Sequence, residues 1–140
     1  MGYTSSNAIC LQTASALSTP LASQTYYFGL FPIAIQGGTT VAIAGKIFMP
    51  CPGVIRQVTF LSKYAVGSSD ATTLSIRKNN TTDTVLSSTL DFSATPLEFN
   101  YAVNIPFVKD DYFSFKLVTP AWASPPTNVY MCTVIYCTTG

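Results

Sequence analysis

Histidine is absent from the 140 residues, which removes the commonest general base and metal ligand, so neither a Ser-His-Asp nor a Cys-His catalytic arrangement can be assembled. Charge is scarce as well: 9% of residues are Asp, Glu, Lys or Arg, against about a quarter in ordinary soluble proteins. Lys46, Arg56, Lys63, Arg77, Lys78, Lys109 and Lys116 are scattered along the chain, and without a basic stripe nucleic acid is not an expected partner. No long apolar run exists. The longest, Val41 to Met49, is broken by Gly45 and Lys46 and falls far short of the roughly 20 residues that span a bilayer, so no membrane anchor is expected. The opening Met1-Gly2-Tyr3-Thr4 leads into small polar residues, not the basic start and apolar stretch of a secretory leader. Apolar spacing of three and four, the mark of an amphipathic helix, is missing throughout.

Hydrophobic residues make up 48% of the sequence, enough at 15.0 kDa for one domain with its own core. Ser, Thr and Asn fill the space that charge leaves empty, giving a polar but almost neutral exterior with seven basic and six acidic side chains and a net charge of +1. Such a surface repels its neighbours weakly, and solubility normally relies on net charge well away from zero. Either much of the surface is covered by partners, or hydroxyls alone keep a compact monomer dissolved. The first reading is preferred.

Four cysteines, Cys10, Cys51, Cys132 and Cys137, could form two bridges, but a chain of this size without a leader favours buried free thiols. Cys132 and Cys137 stand five apart in one apparent strand and so point to opposite faces, where they cannot easily pair. The same geometry, and the lack of Cys-x-x-Cys spacing, argues against zinc.

Residues 1–24 carry no charge and no sustained period and are expected to form an extended N-terminal arm. Ile9, Leu11, Leu17 and Leu21 give that arm apolar handles for a neighbouring subunit; disorder is the alternative. From residue 25 to 140 short β-like runs alternate with Gly, Pro and Asn. Tyr26 to Phe31 is aromatic and stopped by Pro32; Thr40 to Met49 puts Val41, Ile43, Ile47 and Met49 on one face; Val54 to Tyr64 sets Val54, Val58 and Phe60 against Gln57 and Thr59. Thr72–Lys78 and Asp83–Phe92 flank Asn79-Asn80-Thr81-Thr82 as the clearest hairpin. Phe99, Tyr101, Val103 and Ile105 oppose Asn100, Ala102 and Asn104, and Phe113, Phe115 and Leu117 repeat that alternation after Lys109-Asp110-Asp111. Asn128 to Cys137 is apolar on both faces, which suits a strand in the centre of a sandwich or against another subunit. About eight strands at this spacing predict an all-β fold, an antiparallel two-sheet sandwich of the jelly-roll kind. An immunoglobulin-like sandwich is the alternative, although Trp122 sits in a Pro-flanked loop and not mid-strand between cysteines.

The carboxylates Asp70, Asp83, Asp91, Glu98, Asp110 and Asp111 could in principle supply a glycosidase pair, but they are dispersed. Asp110-Asp111 reads as a solvated turn before a strand, with a calcium corner as the weaker reading. Gly37-Gly38 lacks the Lys and following helix of a phosphate loop. The sequons at Asn79 and Asn80 are expected to be turn chemistry, since no secretory leader is expected. No enzyme activity, cofactor or metal site is therefore expected. The loop Thr119 to Asn128, stiffened by Pro120, Pro125 and Pro126, presents Trp122 either as a contact surface or folded back as a cap on the sandwich, the latter slightly favoured because an indole usually finds cover.

Two stretches, DATTLSIRKNNTTDTVLSSTLDF (70–92) and TPAWASPPTNVYM (119–131), resemble small β-sandwich virion surface proteins of tailed bacteriophages, found as head decoration or cement proteins and as tail-fibre modules. The resemblance runs from about Val54 to Cys137 and leaves the amino-terminal segment uncovered; Lys109-Asp110-Asp111 departs from the Gly-Asp that such modules often carry. It implies a jelly-roll-like homo-oligomer, commonly a trimer, bound to the major capsid protein or another virion protein, assembled in the host cytoplasm and resident on the capsid surface. A chain that begins with its own Met and forms one domain is expected to be a decoration or cement subunit; a receptor- or carbohydrate-binding tail-fibre or spike module is the alternative. Exposed aromatics such as Tyr64, Trp122 and Tyr130 would then meet the partner or stack on sugar rings.

Overall fold

In the computed structural model the described residues are 7–29, 35–36, 45–93 and 97–139. They contain ten strands and no α-helix, and so no helix long and apolar enough to cross a membrane. The strands are β1 (Asn7–Leu17), β2 (Thr25–Phe28), β3 (Ile35–Gln36), β4 (Ile47–Phe48) and β5 (Gly53–Lys63), followed by β6 (Ser68–Lys78), β7 (Thr82–Phe92), β8 (Leu97–Phe107), β9 (Tyr112–Val118) and β10 (Val129–Thr139). All pairings are antiparallel, in two sheets. Sheet A has the order β1-β10-β5-β8, and sheet B the order β3-β2-β9-β6-β7, with β4 also pairing β9. The first strand lies beside the last, and the chain crosses between the sheets at β1–β2, β4–β5, β5–β6, β7–β8, β8–β9 and β9–β10, as in a jelly-roll-like antiparallel sandwich.

The core lies between the sheets because alternate residues of the long strands point inward and most of these are apolar. Sheet A contributes Ile55, Val58, Phe60, Val129, Met131 and Ile135, and sheet B contributes Phe28, Leu74, Ile76, Phe113, Phe115 and Leu117, all essentially inaccessible to solvent. Phe28 stacks on Phe115 at 5.3 Å between centroids, and Phe107 of sheet A meets Phe113 of sheet B edge-on at 6.1 Å and 83°. Such pairs add about 0.5–1.5 kcal/mol beyond the area they bury.

The expected hairpin is present as β6–β7. Its turn runs from Lys78 to Thr81, closed by a bond from the Thr81 N–H to the Lys78 carbonyl at 3.0 Å, with Asn79 and Asn80 at φ of 49° and 57°. Two positive φ values in succession define the type I′ turn whose twist matches the flanking strands. The expected strands from Tyr26 to Phe31 and from Thr40 to Met49 survive in part as β2 and β4; Phe31, Val41 and Ile43, and the Gly37-Gly38 turn, lie outside the described residues.

The amino-terminal segment requires a correction. Residues 7–17 are not an arm outside the sandwich but its edge strand β1, paired with β10 over eleven consecutive positions from Asn7↔Thr139 to Leu17↔Val129. Ile9, Leu11, Thr13, Ser15 and Leu17 form its inward row, and the Thr13 and Thr133 hydroxyls bond to each other in the buried space. That bond gives each of the two buried hydroxyls a polar partner in the interior. Residues 18–24 are tied down too: Ser23 N–H donates to the Pro120 carbonyl at 2.8 Å, and Asn128 N–H to the Ser18 carbonyl at 2.5 Å. Residues 1–6 lie outside the described residues.

The phase of β5 also differs from strict alternation. Register shifts on both neighbours fall between Ile55 and Gln57, so Arg56 and Gln57 both face solvent, and Ile55, not Val54, joins Val58 and Phe60 in the core. A β-bulge at this point changes which parity of residue faces inward.

Candidate partner-binding surface

The outward face of sheet A is built by strands far apart in sequence. Cross-strand register aligns Ala14 with Cys132 and Ala16 with Tyr130, then Cys132 with Leu61 and Val134 with Thr59. Cys10 meets Tyr136 in the same way. Strand β10 is thus central, its inward row Val129, Met131, Thr133, Ile135 and Cys137 buried, and its outward row alternates with it. That outward row is Tyr130, Cys132, Val134 and Tyr136, with Tyr130 58% and Tyr136 39% exposed. Polar residues are the usual occupants of a solvated sheet face. Here the centre of the β1–β10–β5 half is uncharged and largely apolar, with Lys63 at its margin. A hollow of about 340 Å³ opens on it, lined by Gln12, Ala14, Leu61, Cys132 and Val134 among others.

The other half of this face, over β5 and β8, is polar, with Arg56 and Glu98 as its charged residues. Gln57 Nε2 donates to Asn100 Oδ1 at 3.0 Å and Thr59 Oγ1 donates to the same oxygen at 2.6 Å. At one end Arg56 donates to Thr138 Oγ1 at 3.1 Å and to Asn104 Oδ1. A larger hollow of about 480 Å³ lies beside it, floored by Phe107, Val54 and Pro52.

The residues singled out from sequence are distributed unevenly. Tyr130 stands on the outward face of sheet A, and Tyr64, just beyond β5, packs edge-on against Phe92 at 5.8 Å and 89°. These two tyrosines share a groove of about 260 Å³ with Lys63, Ala65 and Asn128. Trp122 is elsewhere, half-buried against the core, as the capping reading of its loop predicts, and its Nε1 is buried with no hydrogen-bond partner among the described residues. Ile9 and Leu11 are partly buried against the core from β1. Leu17, expected to meet a partner, is 8% exposed and belongs to the chain's own core, because β1 folds onto its own sheet. Leu21 is exposed in the loop after β1. Sequence reasoning missed Ala14, Ala16, Leu61, Val134 and Tyr136; the one signal for them was the two-sided apolar character of β10.

The charged groups gather mostly on the opposite side and pair with one another. Asp83 accepts from Arg77 Nη1 at 3.0 Å and from Lys116 Nζ at 2.7 Å, and Asp111 pairs with Lys78 at 2.9 Å. A bond from Asn79 Nδ2, another from the Val108 N–H, and Lys78 together hold the Asp111 carboxyl down at about 2, against an ordinary value of 3.8. Asp70 accepts from the Ala123 N–H at 2.8 Å and so anchors the Trp122 loop. Among the described residues no three His, Cys, Asp or Glu side chains gather closely enough to hold a metal ion.

All four cysteines are free. Cys137 is buried, and burial, assisted by the thiols of Cys10 and Cys51, pushes its pKa up to about 11. Cys10 and Cys132 are exposed and Cys51 is intermediate. The expectation of buried thiols therefore fails at Cys10 and Cys132, which fall on the outward rows of their strands.

No protein-family model and no curated protein matches the sequence. Among solved structures the chain is similar to one described as the crystal structure of FLHE, at 12% identity over 92% of this chain and 98% of that chain, with a TM-score of 0.43. At that level the likeness bears on no residue of this chain.

Proposed function

We propose that the chain is a structural virion protein, a capsid decoration or cement subunit of a tailed bacteriophage that stabilises neighbouring capsid proteins by non-covalent packing. One observation carries this reading: central strand β10 is apolar on both faces, and its outward row, Tyr130, Cys132, Val134 and Tyr136, is left open. Burying such a row removes apolar surface from water at about 25 cal/mol per Å², and the absence of charge from the row itself spares the desolvation of charge that docking would otherwise require. The reading calls for no covalent step. It agrees with the phage-protein resemblance of residues 70–92 and 119–131, and it places the protein on the assembled capsid.

The test is reconstitution. Purified protein mixed with emptied phage heads should bind in a copy number matching the capsid lattice and raise the temperature at which the heads disrupt. Val134→Lys, on the outward row, should abolish binding while leaving the melting temperature of the free protein unchanged. Failure of the parent protein to bind heads, or full binding by the variant, overturns the reading.

The Tyr64–Tyr130 groove favours a second reading, a receptor- or carbohydrate-binding tail-fibre module. Tyr130 offers a ring face for stacking, and Lys63 and Asn128 offer polar donors beside it. Binding of host glycans, lost in Tyr130→Ala, together with no affinity for heads, would select this reading over the first.

A further inference from the structure

Two sheets leave open edges, and most of those present here are blunted. The β7 edge carries Asp83 and Asp91, and its pairing with β6 is interrupted by three register shifts. The β8 edge carries Glu98 and Pro106, a charge and a residue with no N–H to offer a neighbouring strand. Strand β3 has two residues, too few to template another chain.

Strand β1 is different. It runs for eleven residues with no charge and no proline, it pairs with β10 without a register shift, and among the described residues nothing pairs with its other side. A long, regular, uncharged edge is a ready template for a further strand, and proteins normally protect such an edge unless it is used.

We infer that β1 pairs antiparallel with β1 of a second copy of this chain across a twofold axis near Gln12, joining the two A sheets into one eight-stranded sheet. The side-chain sizes along β1 argue for a second copy and not a foreign strand. On its inward row the bulky residues Ile9 and Leu11 come first, the small Thr13 and Ser15 follow, and Leu17 closes the row, where the twofold would set it opposite Asn7. An antiparallel twofold centred on Gln12 sets Leu11 opposite Thr13 of the other copy, and Ile9 opposite its Ser15. Large therefore meets small along the seam. Ile9 and Leu11 are only partly buried in the single chain, and the second strand would cover them. On the outward row, Ala8, Cys10, Ala14 and Ala16 present no bulk and no charge that two copies would have to bring together.

This pairing does not depend on the capsid reading, since it concerns the edge of sheet A and not its outward face. It is also a different assembly from the trimer that the phage-protein resemblance implies. Gln12 is exposed and is set opposite its own counterpart, so the test is one of charge at that position. Sedimentation equilibrium of the full chain should give a dimer. Gln12→Glu and Gln12→Lys, each alone, should weaken it by up to about five-fold, the effect of like charges directly opposed across two strands. An equimolar mixture of the two variants should restore the dimer as a heterodimer. Val85→Lys, on the β7 edge, should leave association unchanged, and circular dichroism should show all variants folded. Amides of β1 should in addition gain hydrogen-exchange protection as concentration rises. A monomer or trimer at all concentrations, a dimer indifferent to both Gln12 variants, or no restoration on mixing overturns the inference.

Discussion

At the scale of single residues, Asn79 and Asp111 hold one end of the sandwich together. The Asn79 side chain donates to Asp111 Oδ1 at 2.7 Å and accepts from the Tyr112 N–H at 3.0 Å, while its own N–H donates to the Tyr112 carbonyl. The β6–β7 turn is thereby fastened to the start of β9. Because the Asp111 carboxyl titrates at about 2 when folded and near 3.8 when free, the unfolded chain takes up its proton first as pH falls. The stabilisation is then complete above pH 3.8, declines below it, and is gone once pH passes the folded value. Asp111→Asn should lower stability at neutral pH and flatten the acid limb of a denaturant-midpoint profile over that window; an unchanged acid limb would show that Asp111 does not contribute. Thiol chemistry gives a second check at this scale. Cys10 and Cys132, exposed, should react with a thiol reagent in the native protein, whereas Cys137, buried and held protonated, should react only on unfolding. Rapid native labelling of Cys137 would contradict its placement.

At the scale of elements, close approach governs where the β6 strand can begin. A Cβ added to Gly67 would lie 2.1 Å from the Phe92 carbonyl oxygen and 2.7 Å from the Tyr64 ring. The backbone of β7 would have to move away from β6. Gly67→Ala should therefore destabilise by about 3 kcal/mol, at the upper end of overpacking costs, seen as a drop in melting temperature; a neutral effect would mean that the β6–β7 pair is looser than described. Strands whose inward row is built of large apolar residues were legible from sequence: β8 and β9 follow the alternations at Phe99 to Ile105 and Phe113 to Leu117, and the β6–β7 hairpin follows its Asn-Asn turn. Strand β1 was not legible, because Thr13 and Ser15 occupy inward positions where a hydrophobic pattern would demand Val or Leu, and Thr13 is accommodated there by its bond to Thr133. The parity of Val54 was lost for another reason. A bulge leaves no hydrophobic trace, so the change of phase at Arg56 is visible only in the register with β8 and β10. The outward face of sheet A was hidden by topology, since its rows come from residues 14–16, 61 and 130–136, which no local window brings together.

At the scale of the whole molecule, charge is sorted by side. Asp83, Arg77, Lys116, Lys78 and Asp111 pair with one another on and beside sheet B, while the β1–β10–β5 half of sheet A has Lys63 at its margin and a neutral centre. An interface formed there would gain little from Coulomb attraction and much from excluding water. Its strength should follow apolar burial, which strongly hydrated salts such as sulfate increase, and should be insensitive to simple screening. Affinity for emptied heads should thus change by less than about two-fold between about 0.05 and 0.5 M sodium chloride, although the screening length shrinks severalfold over that range, and should rise in sodium sulfate of equal ionic strength. Calorimetry should show a negative heat-capacity change on binding, the mark of buried apolar surface. A steep loss of affinity with sodium chloride would instead place the contact on the charged side of the sandwich, where Lys116, Arg77 and Lys78 would have to exchange their present carboxylate partners for those of the capsid.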